Sequence, residues 1–325
     1  MPIAMSRLSL WVIMGLLMLS LFLMLQEKTP VTAPEAPAAI VITDNAGRRV
    51  QLPGQPRRVI VLNASNLDLF YAAGGKVIGK PTTKALREEV SRAFAAVPEV
   101  GTTANPSIEQ MIAMEPDLIL GVNAPPHHAL LPVLEKAGIP ILLQTLENYQ
   151  QILDTLRLYG SLTGNPQLAR SEVAKIETQY QEVMSRIKGK TAPRVLVVWG
   201  STESFHMATQ NSFAGDLVKR LGGINIADEW AGSGQLRNIP LSMEFVARAN
   251  PEVILLITHS TDEKIVGKLR ADLAKHPAWQ GLAAVRNNRV EQLPYTLFAV
   301  NPGTRVGEAL YILERLLYPG SDVRQ

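Results

Sequence analysis

The 325-residue chain contains no cysteine, which excludes disulfides, thiolate metal sites, cysteine nucleophiles and a lipid-bearing N-terminal cysteine. Histidine is scarce too, with five in all, and a bare-metal centre that gathers several imidazoles and carboxylates is therefore the least favoured kind of ligand site. Charge of one sign is not concentrated anywhere. The formal net charge is +3, there is no run of five or more like charges and no basic patch interleaved with aromatics, so no nucleic-acid partner is implied. Gly74, Gly79 and Lys80 imitate a phosphate loop, but Pro81 stands where Ser or Thr must hold Mg²⁺ and biases Lys80 away from helical geometry. Gly232-Ser233-Gly234 lacks the spacing of a nucleophile elbow. No catalytic constellation emerges, and the chain reads as a binding protein without a catalytic cofactor.

What is present begins with one long apolar run. After Arg7, Leu8 to Leu25 is an uncharged stretch of 18 residues, longer than the roughly 7–15 residues of a typical secretory core. It reads as an export signal or signal anchor over residues 1–25. Arg7 stays on the cytoplasmic side, so the rest of the chain is expected outside the cytoplasm, membrane-tethered, or secreted if cleavage occurs near Ala36-Pro37-Ala38. Residues 26–39 are rich in Pro and Ala and form an extended linker.

A repeat dominates the remainder. Ser107-Ile108-Glu109, six intervening residues and Pro116-Asp117-Leu118-Ile119-Leu120 return as Ser242-Met243-Glu244, six intervening residues and Pro251-Glu252-Val253-Ile254-Leu255. In each copy Ser is placed to cap a helix, Glu lies in its first turn, and the Pro-acid pair breaks the chain before a buried strand. Two copies of one supersecondary unit imply two similar lobes with a ligand cleft between them.

Between these landmarks strands and helices alternate. A hairpin turns at Asp44 to Gly47; strands are expected at Val59–Leu62, Val77–Gly79, 118–122, 140–143 and Arg194–Val198; and helices run from Asn63 to about Ala73, over 108–114, over 129–137 and from Phe213 to Leu221. The fold class is α/β, with two βαβ lobes of mainly parallel sheet. Pro166 to Lys188 recurs at helical spacing over Ala169, Val173, Ile176, Tyr180, Val183 and Ile187, and at about 1.5 Å per residue it is roughly 33 Å long, enough to bridge both lobes. The expected division is 40–164 for the N-terminal lobe, 165–189 for the bridging helix and 190–325 for the C-terminal lobe.

The two Ser-x-Glu units, Ser212-Phe-Ala-Gly-Asp-Leu-Val218 with Gly222-Gly223, and the single bridging helix resemble the substrate-binding proteins of ABC importers for haem, siderophores and cobalamin, over residues 40–318. That resemblance implies a rigid two-lobed receptor that docks on a permease dimer, itself coupled to an ATPase, through one acidic residue per lobe. Glu109 and Glu244 match those positions. The stretch Ala249 to His259, with Trp279 and Val285 to Val290, looks most like Gram-positive haem-binding lipoproteins, in which the matching His ligates haem iron. His259 is thus the candidate axial ligand. Those relatives carry a Met just before the first Ser-x-Glu helix, where this chain has Gly101-Thr-Thr-Ala-Asn-Pro106. The iron is then five-coordinate, or Tyr295, His127 or His128 reaches it.

Further ligand-binding candidates lie on loops after strands, where parallel sheets face a crevice: Asn63, Ser65, Thr82, Thr83 and Trp199, with Tyr295 and Phe298 as stacking groups and Arg237 or Arg305 as partners for ligand carboxylates. An iron chelate, most of all haem, is the expected cargo; a siderophore or cobalamin is the alternative, and a chelatase or hydrolase using His259 is a reading of a different class.

Overall fold

The computed structural model describes residues 39–201, 204–230, 234–258 and 263–320. The apolar run and nearly all of the linker lie outside them; among the described residues no helix is long and apolar enough to cross a membrane.

The N-terminal lobe opens with β1 (Ile40–Thr43) and β2 (Arg49–Leu52), an antiparallel hairpin. Its turn is organised by buried Asp44, whose Oδ1 accepts from the Ala46 and Arg48 amides at 3.0 and 2.9 Å, while Gly47 takes φ +76°. The same carboxylate accepts from Leu143 N at 3.2 Å, which ties the hairpin to the edge of the main sheet. That sheet comprises β3 (Val59–Val61), β6 (Leu118–Val122) and β7 (Ile141–Gln144), all parallel, in the order β3-β6-β7. Between β3 and β6 come α1 (Ala64–Ala72), α2 (Glu88–Ala93), the short hairpin of β4 (Gly101–Thr102) and β5 (Asn105–Pro106), and α3 (Ile108–Ala113); α4 (Pro125–His128) and α5 (Leu131–Lys136) lead into β7.

The strand expected at 77–79 is reduced to two bridges, Gly79 to Ile60 and Lys80 to Glu99. Pro81 has no amide to extend the ladder, so pairing stops where it begins. Asn63 occupies the N-cap position of α1 with extended backbone, yet its side chain makes no capping bond.

Two helices connect the lobes: α6 (Tyr149–Leu162) and α7 (Pro166–Ile187). The C-terminal lobe then has β8 (Arg194–Gly200), β9 (Phe205–Ala208), α8 (Phe213–Arg220), β10 (Ile224–Asn225), β11 (Asn238–Pro240), α9 (Met243–Ala249), β12 (Val253–Thr258), α10 (Glu263–Ala274), α11 (Ala283–Arg286), β13 (Val290–Gln292), α12 (Tyr295–Phe298) and α13 (Val306–Leu317). Its sheet runs β11-β9-β8-β12-β13, with β10 paired to the start of β8. The β8, β10, β12 and β13 pairings are parallel, whereas β9 and β11 form an antiparallel edge. This edge exists because the chain turns back on itself at Ser201 and Ser204, with Ser201 N donating to Ser204 O at 2.9 Å.

Period-two alternation covers both sheet faces. Val59, Val61, Leu118, Leu120, Val195, Val197, Val253 and Leu255 share one core with Val173, Ile176 and Val183 of α7. The intervening residues build a separate outer core on each lobe, around Ile60, Ile119 and Met111 in the first and Leu196, Ile254 and Trp279 in the second. The bridging helix is thus welded into both lobes; Arg186 on it makes a two-pronged pair with buried Glu314 of α13, both contacts at 2.8 Å.

The repeat acquires a physical meaning here. Ser107 and Ser242 accept from Gln110 N and Phe245 N, capping α3 and α9. Each helix ends on a left-handed residue, Glu115 or Asn250, both at φ +45°. The following acid then receives the backbone of the neighbouring strand: Asp117 accepts from Arg57 N and Arg58 N at 2.7 and 2.9 Å, and Glu252 from Arg194 N at 2.7 Å. Arg58 Nε and Arg194 Nε in turn donate to the spent helix ends, at Glu115 O and Ala249 O. Each Pro-acid pair is therefore a splice between a helix end and two adjacent strands.

Candidate functional site

The segments that follow the parallel strands are the ones that meet across the lobes. Ser65, just after β3, donates through Oγ to Asn301 O at 2.7 Å, and Asn301 Nδ2 donates to Leu146 O, just after β7, at 2.7 Å. Asp68, one turn along α1, accepts from Thr304 N and Thr304 Oγ1, both at 2.7 Å, and from the Arg87 guanidinium. Gly303 between these contacts has φ +60°, and a Cβ there would fall 2.5 Å from Asp68 Oδ2. The Asn-Pro-Gly-Thr turn at 301–304 is thereby clasped by the first lobe. On the other flank, Asp216 of α8 accepts from Tyr149 N at 2.9 Å, and Arg237 forms an ion pair with Glu147. Burial pushes the Glu147 carboxyl up, and the Arg237 charge pulls it back down.

Several sequence expectations are corrected by this geometry. Ser65 is buried and committed to the lobe contact. His127 is fully buried: its Nδ1 accepts from Val122 N at 2.8 Å and its Nε2 donates to Thr103 O at 2.9 Å, so both ring nitrogens are taken and neither is open to iron. Burial lowers its pKa from the usual value. Its work is to fasten the β4–β5 hairpin over the end of β6. Phe298 is buried against Phe213, ring centroids 6.4 Å apart, and belongs to the core rather than to a ligand-stacking surface.

The other candidates sit as follows. Asn63 is buried, and its Oδ1 has no hydrogen-bond partner. Asn66 Oδ1 and Gln144 Nε2 share that condition, so three buried amides with unspent capacity lie at or just beyond the ends of the first lobe's strands. Thr82 is exposed and bonds Glu99 at 2.7 Å, while Thr83 Oγ1 accepts from Ala85 N at 3.1 Å. His128 is exposed, with Nε2 2.7 Å from Asn123 Oδ1. Trp199 is half-buried at the end of β8 and packs on the shared core; Tyr295 is half-buried at the start of α12. Arg305 pairs with Glu308 at 3.2 Å. His259 lies outside the described residues. Glu109 and Glu244 are both exposed in the first turns of their helices.

Asp68, Glu147, Asn66 and Thr304 escaped sequence reasoning. One signal was available: a carboxylate between Leu67 and Leu69 on an apolar helix has to be paired if buried, and Asn-Pro-Gly marks a turn able to present backbone donors. Among the described residues no group of three or more His, Asp or Glu side chains converges on a metal position. The roomiest cavity between the lobes, about 480 Å³, lies beside the Glu147–Arg237 pair.

Comparison with known proteins agrees with this architecture. A family profile described as periplasmic binding protein matches residues 59–296. The chain is 24% identical over 251 residues to the high-affinity heme uptake system protein IsdE of Staphylococcus aureus, covering 74% of this chain and 80% of that one. It is 24% identical over 264 residues to the putative ABC transporter substrate-binding lipoprotein YhfQ of Bacillus subtilis, covering 77% and 80%. Among solved structures, S. aureus IsdE complexed with heme superposes with TM-score 0.70 at 22% identity, covering 80% of this chain and 98% of that one. S. aureus SirA complexed with staphyloferrin B gives TM-score 0.72 at 20% identity, covering 86% and 98%.

Proposed function

The chain belongs to the periplasmic binding protein family, and from that premise we propose that it is the extracytoplasmic receptor of an ABC importer, carrying haem to a membrane permease. It is a substrate-binding component for a haem- or siderophore-type ligand; haem is the finer reading. The observation that carries it is the kinship with IsdE over three quarters of the chain, joined to the position of His259 in sequence directly after β12, a parallel strand of the second lobe. A neutral imidazole there offers one nitrogen to iron while the other donates to a neighbour. Tyr295 is the group from the same lobe suited to complete or flank that site. The cargo leaves chemically unchanged, so no catalytic residue is assigned, and the run Leu8–Leu25 serves as the membrane anchor.

The test is haem titration of the purified full chain. Saturable binding with a Soret band is expected, and His259→Ala is expected to shift or abolish it. Titration that never saturates rejects haem. A ferric siderophore is the second reading, favoured by the hydrophilic cavity between the lobes and by likeness to SirA. Saturable binding of a ferric siderophore in place of haem establishes it.

Glu109 and Glu244 are assigned to the permease. Both are exposed and at equivalent places in the repeat. Reversing both to Lys is expected to leave cargo affinity unchanged and to stop uptake; lost cargo binding in that double variant refutes the assignment.

A further inference from the structure

The cavity of about 480 Å³ beside the Glu147–Arg237 pair stands apart from the candidates at the strand ends. Neither Asn63, Ser65, Thr82, Thr83, Trp199 nor Tyr295 lines it. It opens instead where the outer strand of the first sheet, β7, runs into α6 and faces the antiparallel edge of the second lobe. Its volume is within the roughly 300–1,000 Å³ usual for small-molecule sites. The described lining residues are all polar or charged, so the cavity offers nothing to a planar apolar ligand such as a porphyrin.

The charges are unevenly committed. Asp216 is spent, because its Oδ2 accepts from both Tyr149 N at 2.9 Å and Arg220 Nε at 2.8 Å. Lys219 is steered by Gln210, with Nζ 2.5 Å from Oε1, a neutral partner that leaves its charge uncompensated. Arg237 is 57% exposed and has Glu147 as its ionic partner. Two cations therefore face one carboxylate with capacity to spare. Gln151, Asn211 and Gln235 add amide groups around them, which suit hydroxyl oxygens.

We propose that this cavity is a binding site in its own right, for a small hydroxylated carboxylate held by Arg237 and Lys219 across the two lobes. A guanidinium grips a carboxylate through two parallel hydrogen bonds, and the incoming anion takes the place of Glu147 on that fork. Glu147 is partly buried, and burial pushes its carboxyl up, so it yields the guanidinium readily.

Calorimetric titration of the full chain with citrate tests this, with tricarballylate as the probe that lacks the hydroxyl. Citrate is expected to bind saturably and more tightly than tricarballylate. Joint replacement Arg237→Gln and Lys219→Gln is expected to weaken citrate roughly tenfold or more, as loss of charge-assisted hydrogen bonds does. Glu147→Gln removes the competing carboxylate and is expected to tighten it. Absence of citrate binding, unchanged affinity in the double variant, or weaker binding in Glu147→Gln each overturns the proposal. Because the variants lie at exposed or half-exposed positions, a thermal melt beside wild type separates a lost site from a lost fold.

Discussion

At the scale of single residues, His127 has the most direct consequence. With Nδ1 accepting from Val122 N, the ring is fixed as the neutral tautomer protonated on Nε2. Protonating Nδ1 costs that bond. Burial lowers its pKa below the usual value of about 6.5, while the unfolded chain titrates near that value. The unfolded state therefore binds the extra proton first. Stability from this group is full above about pH 6.5 and is lost as pH falls toward the folded value. The elements around the ring, β6, β7 and the β4–β5 hairpin, carry no titratable side chain, and α4 contributes His128. Urea unfolding is expected to show wild type losing stability between pH 7.5 and 5, with a smaller loss in His127→Gln. At pH 7.5 that variant is expected to be less stable by about 1–3 kcal/mol, since buried backbone groups lose a partner. An equal acid loss in both proteins excludes the linkage. Local sequence could not reveal this role. Pro125-Pro-His-His reads as a strand-end loop with two donors, and what closes it is Thr103 O, 24 residues away in the chain.

At the scale of elements, the sequence was most legible where one turn or one helix decides the outcome. The Asp44 turn, the Ser caps of α3 and α9, and the bounds of α6 and α7 follow from capping chemistry and apolar spacing within a few residues. The antiparallel edge of β9 and β11 was not legible, because the reversal at Ser201 and Ser204 rests on hydroxyl and backbone bonds with no Gly or Pro signature. The repeat was visible as spelling but not as mechanism. Its acids join a helix end to two strands through backbone donors that lie about sixty residues away in sequence. Asp117→Ala is expected to cost about 1–2 kcal/mol in urea unfolding, by removing the acceptor of two amides. A change within about 0.5 kcal/mol, the range of an ordinary surface substitution, disproves the splice.

At the scale of the whole molecule, two lobes and a bridging helix were readable because duplication and period-two strands survive in the sequence. The contact between lobes was not, since Asn301 to Thr304 shows only as a turn until α1 is folded beside it. Those contacts join residues 236 positions apart, nearly the full length of the folded part. A chain that emerges from its N-terminus presents Ser65 and Asp68 long before their partners exist. The first lobe then waits with an unpaired carboxylate on its inner surface until the last helix arrives, and long-range closure of this kind slows folding. Any truncation ahead of Thr304 leaves that carboxylate permanently without Thr304, so the final quarter-turn of the chain acts as a proofreading mark for completed synthesis.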